Sequence, residues 1–287
     1  MQAALLALLA AGLVLIVLGV LLLCKHMRRP LEPEFQAAPR IGIVTMVTDQ
    51  PDFAHWLEHH LAMVERVYLR VENAPEIAAL VASDPRVYAE TAQVDAKERG
   101  DNYFGQMDRQ RGFVTRMLDK AARDGLDVLF HIDADELIAV QAPHSSLGAE
   151  LLRVPRGTAC VHLHNHEAYF HDNQRCFSAA GFLDCQREAC TSYGNGKSAA
   201  VLRHGPRYHG PHHFLGRAWQ MPADRVVVLH FDSCTFDQWK SKFQRMAQKT
   251  TRTSEIPFPF YKQSIDKVQS GAADAELQTF YRERKWR

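Results

Sequence analysis

Neither sign of charge prevails in this chain: 34 lysines and arginines face 33 aspartates and glutamates, for a formal net charge of +1. Basic residues do not form a run beyond those just after position 24 and the last few, which argues against nucleic acid as a partner. No C-x-x-C pair occurs, so the usual zinc-knuckle spacing is excluded. No Asn-x-Ser/Thr acceptor occurs either, which removes one sign of a secreted chain. Internal repeats are missing, as are low-complexity tracts outside the first residues.

What is present begins with an apolar run. From Ala3 to Cys24 no residue is charged, and leucine, alanine and valine dominate. At roughly 1.5 Å per residue such a helix is just long enough to cross a bilayer core of about 30 Å. It exceeds the usual signal-peptide core of about 7–15 residues and has no basic stretch before it. A single-pass membrane anchor is therefore expected over residues 1–29, with residues 30–40 as a proline-rich stem. Lys25, Arg28 and Arg29 follow the run and by the positive-inside tendency would keep the remainder cytoplasmic. If the chain is bacterial, that agrees with an inner-membrane protein facing the cytoplasm. A Golgi or secretory-pathway protein in a eukaryote would need the opposite orientation.

The remaining residues, about 250, suffice for one large domain or two small ones; residues 41–250 are assigned to one domain and 251–287 to a C-terminal extension. Of the six cysteines, Cys24 falls in the apolar run, leaving Cys160, Cys176, Cys185, Cys190 and Cys234. These suit one or two disulfides in an oxidising compartment and equally suit buried thiols.

Strands and helices are expected to alternate. Ile41–Val47 reads as a strand, and 53–64 as a helix with apolar residues at helical spacing. Strands follow at Val67–Val71, 86–89 and 127–132, with helices over 75–82 and 104–123, the latter stopped by Gly125. This order predicts an α/β fold, a mostly parallel sheet flanked by helices. In such sheets ligands bind outside the carboxyl ends of the strands.

That position is taken by Leu129-Phe-His-Ile-Asp-Ala-Asp-Glu-Leu-Ile138. An apolar strand runs into Asp133 and Asp135, whose side chains point the same way in an extended segment. Hard divalent cations take oxygen ligands and need only one or two protein carboxylates when phosphates supply the rest. A strand ending in Asp-x-Asp thus suits a metal-bound diphosphate.

Several blocks, in order, carry a resemblance. They are Ile41-Gly-Ile-Val-Thr-Met-Val-Thr-Asp49 with His55-Trp-Leu-Glu-His-His-Leu61, Val67-Tyr-Leu-Arg-Val-Glu-Asn73, Gln106, and Asp127–Ile138. Gly196-Lys-Ser198, Gly210-Pro-His-His213 and 228–243 continue it. Together they resemble nucleotide-sugar glycosyltransferases of the GT-A type, most closely the family 92 group and more distantly the family 2-like group, over about residues 41–250. The chain departs from that pattern at Thr48-Asp49, where Asn-Glu is usual, at Glu72, where aspartate is, and at Phe231, where tyrosine is.

The resemblance implies a membrane-anchored, metal-dependent hexosyltransferase of GT-A fold using Mn²⁺ or Mg²⁺ and a nucleotide sugar, a UDP-sugar above all, with galactose the sugar its relatives point to. The acceptor would be a glycan, lipid or protein. Asp135, Asp133 and His230 are the implied metal ligands, Asp133 alternatively holding the ribose. Lys197 and Lys242 could neutralise phosphates, and Asp49, Glu72 and Arg109 could contact uridine or ribose. An inverting transfer also needs a carboxylate base; Asp232, Asp184 and Glu188 all qualify.

Two other patterns compete. His55-Trp-Leu-Glu-His59 fits the H-x-x-E-H signature of inverted zinc proteases, with Glu58 as base. His162, His164 and His166 alternate along an expected strand and could share one face as metal ligands or as pocket lining. A zinc hydrolase and a non-catalytic, lectin-like descendant of the transferase therefore stand as alternatives.

Overall fold

A computed structural model describes residues 32–95, 105–144, 146–171, 175–248 and 253–287. Glu34–Arg287 forms one unit; a second unit, Met1–Pro33, lies almost wholly outside the described residues. In the larger unit β1 (Ile41–Val47), β2 (Arg66–Glu72), β3 (Val87–Ala92) and β4 (Val128–His131) are separated by α1 (Phe53–Leu61), α2 (Pro75–Val81) and α3 (Gly105–Arg123). Then come β5 (Glu136–Val140), α4 (Leu147–Leu151), β6 (Cys160–Tyr169), β7 (Gly181–Asp184) and β8 (Lys197–Val201). The remainder is β9 (Arg207–Gly210), β10 (His213–Leu215), β11 (Ala218–Gln220), β12 (Val226–His230), α5 (Phe236–Ala247), α6 (Pro259–Gln269) and α7 (Asp274–Lys285).

The first half follows from period-2 burial. In β1, Ile41, Ile43 and Val47 join the core under α1 and α2, while Val44 faces α3. In β2, Val67, Leu69 and Val71 take the first side and Tyr68 the second; in β4, Val128 and Phe130 oppose Leu129. A strand buried on both faces reads as an almost unbroken apolar run, and helices must cover both sides. α3 buries Gln110, Phe113, Val114, Met117, Leu118 and Ala121 at helical spacing. It ends at Gly125, whose φ of 77° is the left-handed conformation that closes a helix.

The main sheet runs β3-β2-β1-β4-β8-β6-β12-β5, with β7 and β11 also paired to β6. The expected mostly parallel sheet is corrected here. β3, β2, β1 and β4 are parallel, but β8 is antiparallel to both β4 and β6, β5 to β12 and β7 to β6. No α-helix separates β6 from β7 or β8 among the described residues, which suits their direct antiparallel pairing, whereas β11 and β12 return parallel to β6. The sheet is mixed and curled, and the GT-A arrangement implied by the resemblance is not shown by it.

The membrane anchor is corrected as well. Among the described residues no helix is long and apolar enough to cross a membrane. The longest, α3, carries Asp108, Arg109, Arg111, Arg116, Asp119, Lys120 and Arg123. The span expected over residues 1–29 lies outside the described residues, and the single-pass localisation built on it, whether Golgi or inner membrane, is not supported.

Residues after 235 add a helical layer. Thr235 caps α5 by accepting the Gln238 amide at 3.2 Å. α5, α6 and α7 then enclose Trp239, Phe243, Phe260, Tyr261, Ile265, Leu277 and Tyr281. The Tyr281 hydroxyl donates to the Ser233 carbonyl at 2.9 Å, fastening this layer to the end of β12. Disulfides join Cys176 to Cys234 and Cys185 to Cys190, and Cys160 is a buried thiol. Trp239 is wholly buried at the centre of the helical layer. Trp239→Ala should cost about 3–5 kcal/mol of stability, seen as a lower denaturant midpoint with unchanged slope. A cost below about 1 kcal/mol would show that the helices dock without this ring.

Candidate metal centre

Asp133-Ala-Asp135 lies in the turn between β4 and β5, at the carboxyl end of the parallel strands, and Glu136 opens β5. Across β5, β12 and β6 the pairing aligns Glu136 with His230 and His230 with Glu167. Paired residues share a face, so these three side chains stand in one row. The peptide N–H of Phe231 donates to the Asp135 carbonyl at 2.8 Å, holding the end of β12 against the turn.

Lys197, the first residue of β8, enters the same buried space. Its Nζ lies 2.5 Å from Asp133 Oδ2 and 3.4 Å from Glu136 Oε2. Gln110 of α3 donates to Asp133 Oδ1 at 3.1 Å. The Tyr193 hydroxyl donates to Glu136 Oε1 at 2.8 Å, and the Asp133 amide to Glu136 Oε2 at 2.7 Å. Gly196 makes this approach feasible. It has a φ of +65°, and a Cβ there would lie 1.9 Å from the Leu163 carbonyl oxygen.

Charge is balanced inside this group. Burial opposes ionisation of Asp133, but the Lys197 ammonium holds its carboxyl well below the usual range. Burial likewise opposes charge on Lys197, which Asp133 and Glu136 outweigh, so its pKa is pushed up. Glu136 goes the other way: burial, reinforced by Asp133 against the pull of Lys197, pushes its pKa up to about 7.

The second cluster is the one suited to a cation. Ligand atoms of Asp135, His230 and Asp232 all lie within 4.8 Å of one another. His230 Nε2 is 3.7 Å from Asp135 Oδ2. Lys242 and Ser233 hold Asp232 Oδ1, whereas the buried Asp232 Oδ2 has no hydrogen-bond partner among the described residues. A buried carboxylate oxygen left unpaired is costly, and a metal ion would complete it. Two carboxylates and one imidazole fit a hard or borderline divalent ion such as Mn²⁺. Burial works against charge on His230, yet Asp135 raises its pKa; burial also opposes ionisation of Asp232, which Lys242 and Lys285 lower. Glu167, Cys185 and Cys190 also converge, but both sulfurs are consumed by their disulfide.

The residues read from sequence are distributed as follows. Asp135 and His230 meet, joined by Asp232, whereas Asp133 is held by Lys197, Gln110 and Tyr193 in an adjoining cluster. Lys242 bonds Asp232 and the Tyr261 hydroxyl. Glu72, wholly buried, binds Arg70 at 2.7 Å and Arg109 at 3.0 Å. Asp49 is exposed and pairs with Arg245 of α5 at 3.1 Å. Asp184 pairs in register with His166, on the face opposite to Glu167 and His230. Glu188 is exposed and reaches Arg287 at 3.7 Å.

Neither competing histidine pattern converges on a ligand group among the described residues. His59 Nε2 is 2.8 Å from the Ile138 carbonyl, and His55 stacks on Phe177. Along β6, His162, His164 and His166 do share a half-buried face; His162 meets Ser198 and stacks on His213. Sequence reasoning missed Tyr193, Gln110 and Glu167, and it placed Asp232 only as a candidate base, not beside Asp135 and His230. Glu167 had a signal, since it falls on the apolar side of an alternating strand; Tyr193 sits in a loop without periodicity.

No protein-family model and no curated protein matches this chain. A pH test reaches the centre directly. Because the folded pKa of Glu136 lies above its ordinary 4.5, the stability it contributes is complete below that pH and is lost as pH rises through about 7. Glu136→Gln should therefore gain on the wild type between about pH 4.5 and 7 and level off above. A flat difference across that window would mean Glu136 stays ionised against Lys197.

Proposed function

We propose that the chain is a metal-dependent glycosyltransferase, moving a sugar from a nucleotide-diphosphate donor to a glycan, lipid or protein acceptor. The observation that carries this reading is the convergence of Asp135, His230 and Asp232 within 4.8 Å, with one buried carboxylate oxygen left unpartnered. The sequence resemblance supports a UDP-sugar as donor, with galactose the sugar it favours.

A divalent cation held by Asp135, His230 and Asp232 would stabilise the charge that develops on a diphosphate leaving group. The remaining chemistry belongs to the side chains. Lys197, Gln110 and Tyr193 hold the Asp133 carboxylate, fixing the path of the turn that presents Asp135. Lys242 occupies one oxygen of Asp232 and leaves the other for a cation. A constellation built before substrate arrives loses little to reorganisation in the transition state.

Asp135 is partly exposed at the rim of the sheet, and Asp135→Asn changes little of the packing. This variant should lose about 100-fold or more of UDP release from UDP-sugars, with thermal unfolding within about 2 °C of the wild type. Asp232→Asn should lose activity similarly. Full activity in excess EDTA would refute the metal-dependent reading, and unfolding of Asp135→Asn would assign Asp135 a structural role instead.

A further inference from the structure

Beneath the candidate ligands lies a set of polar groups that the proposed chemistry does not use directly. Glu167, near the end of β6, has a side chain only 2% exposed, and Lys285 on α7 is equally enclosed at 1%. Their charged atoms are 3.0 Å apart. Glu167 also accepts from the Thr191 hydroxyl, from the Ser192 amide at 2.9 Å and from the Ser192 hydroxyl at 2.8 Å. Ser192 Oγ then lies 3.1 Å from Nδ1 of His230.

Hydrogen-bond counting decides the direction of this chain. A carboxylate paired with an ammonium carries no proton and can only accept. A serine hydroxyl has one proton, and here it goes to Glu167. Ser192 Oγ can then meet His230 only through a lone pair, so Nδ1 of His230 must donate. In a neutral ring that leaves Nε2 without a proton, and Nε2 is the atom facing Asp135.

We propose that Glu167 and Ser192 form a relay that sets His230 in the Nδ1–H tautomer, with the Lys285 ammonium keeping Glu167 an acceptor. Ser192 is thus a positioning residue for the lone pair that the cation would need. Outer-shell partners of this type usually change metal affinity by about 10–100-fold when removed. The affinity consequence rests on the metal-dependent reading above; the tautomer assignment does not.

Two measurements on the full chain separate these claims. Nitrogen-15 histidine spectra of metal-free protein at alkaline pH, where the ring is neutral, should show His230 protonated on Nδ1. A proton on Nε2 would overturn the relay. In Ser192→Ala the single tautomer should give way to a mixture, and the Mn²⁺ dissociation constant, measured by titration calorimetry, should rise about 10–100-fold. Unchanged Mn²⁺ affinity in a folded Ser192→Ala protein would overturn the positioning role. If the wild type binds no Mn²⁺, the metal centre and its affinity consequence both fall, while the spectra still decide the tautomer.

Discussion

The Lys197 ammonium is buried with no exposure of its side chain, 2.5 Å from Asp133 and 3.4 Å from Glu136. Much of the rest depends on that contact. An ammonium without water must be paired, and breaking such a pair typically costs about 3–5 kcal/mol. It draws β8 down against β4 and β6, holds the turn between β4 and β5, and keeps the buried Asp133 carboxyl well below its usual range. The backbone is adapted to it, since Gly196 occupies a conformation and a space that no side chain could share with the Leu163 carbonyl.

Around this contact, charges are grouped rather than scattered. Leaving aside Glu136, the carboxylates of Asp133, Asp135, Asp232 and Glu167 are met by Lys197, Lys242 and Lys285. The lysines take the inner oxygens, while Asp135 and one oxygen of Asp232 remain turned to the place where the ligand atoms converge. The excess of negative charge is therefore local. It faces Asp135, His230 and Asp232, the groups that would hold a divalent cation.

How much of this is legible in the sequence depends on where the signal is stored. β1 can be read to the residue, because burial on both faces makes Ile41–Val47 an almost unbroken apolar run. The Asp133–Asp135 turn is legible for the same reason, as it interrupts one. The strands after β6 are short and irregularly spaced, so the mixed half of the sheet leaves little periodicity to read. Asp232 illustrates the limit within the site. Its residue type invites a base or a ligand equally, and only the proximity of Asp135 and His230, nearly a hundred positions apart in the chain, separates the roles.

β6 connects these observations. Its first residues, Cys160–Leu163, pair with β8, and its later ones with β12 and β7. Alternation puts His162, His164 and His166 on one side and Leu163, Asn165 and Glu167 on the other. Slipping this strand by one position would turn the histidines towards Lys197 and Lys285 and expel Glu167 from its ion pair. The same pattern that carries the buried charges thus penalises misalignment on two neighbours at once. Correct assembly of the sheet is enforced by electrostatic mismatch as well as by apolar packing, and the strand serves as an alignment gauge for the whole centre.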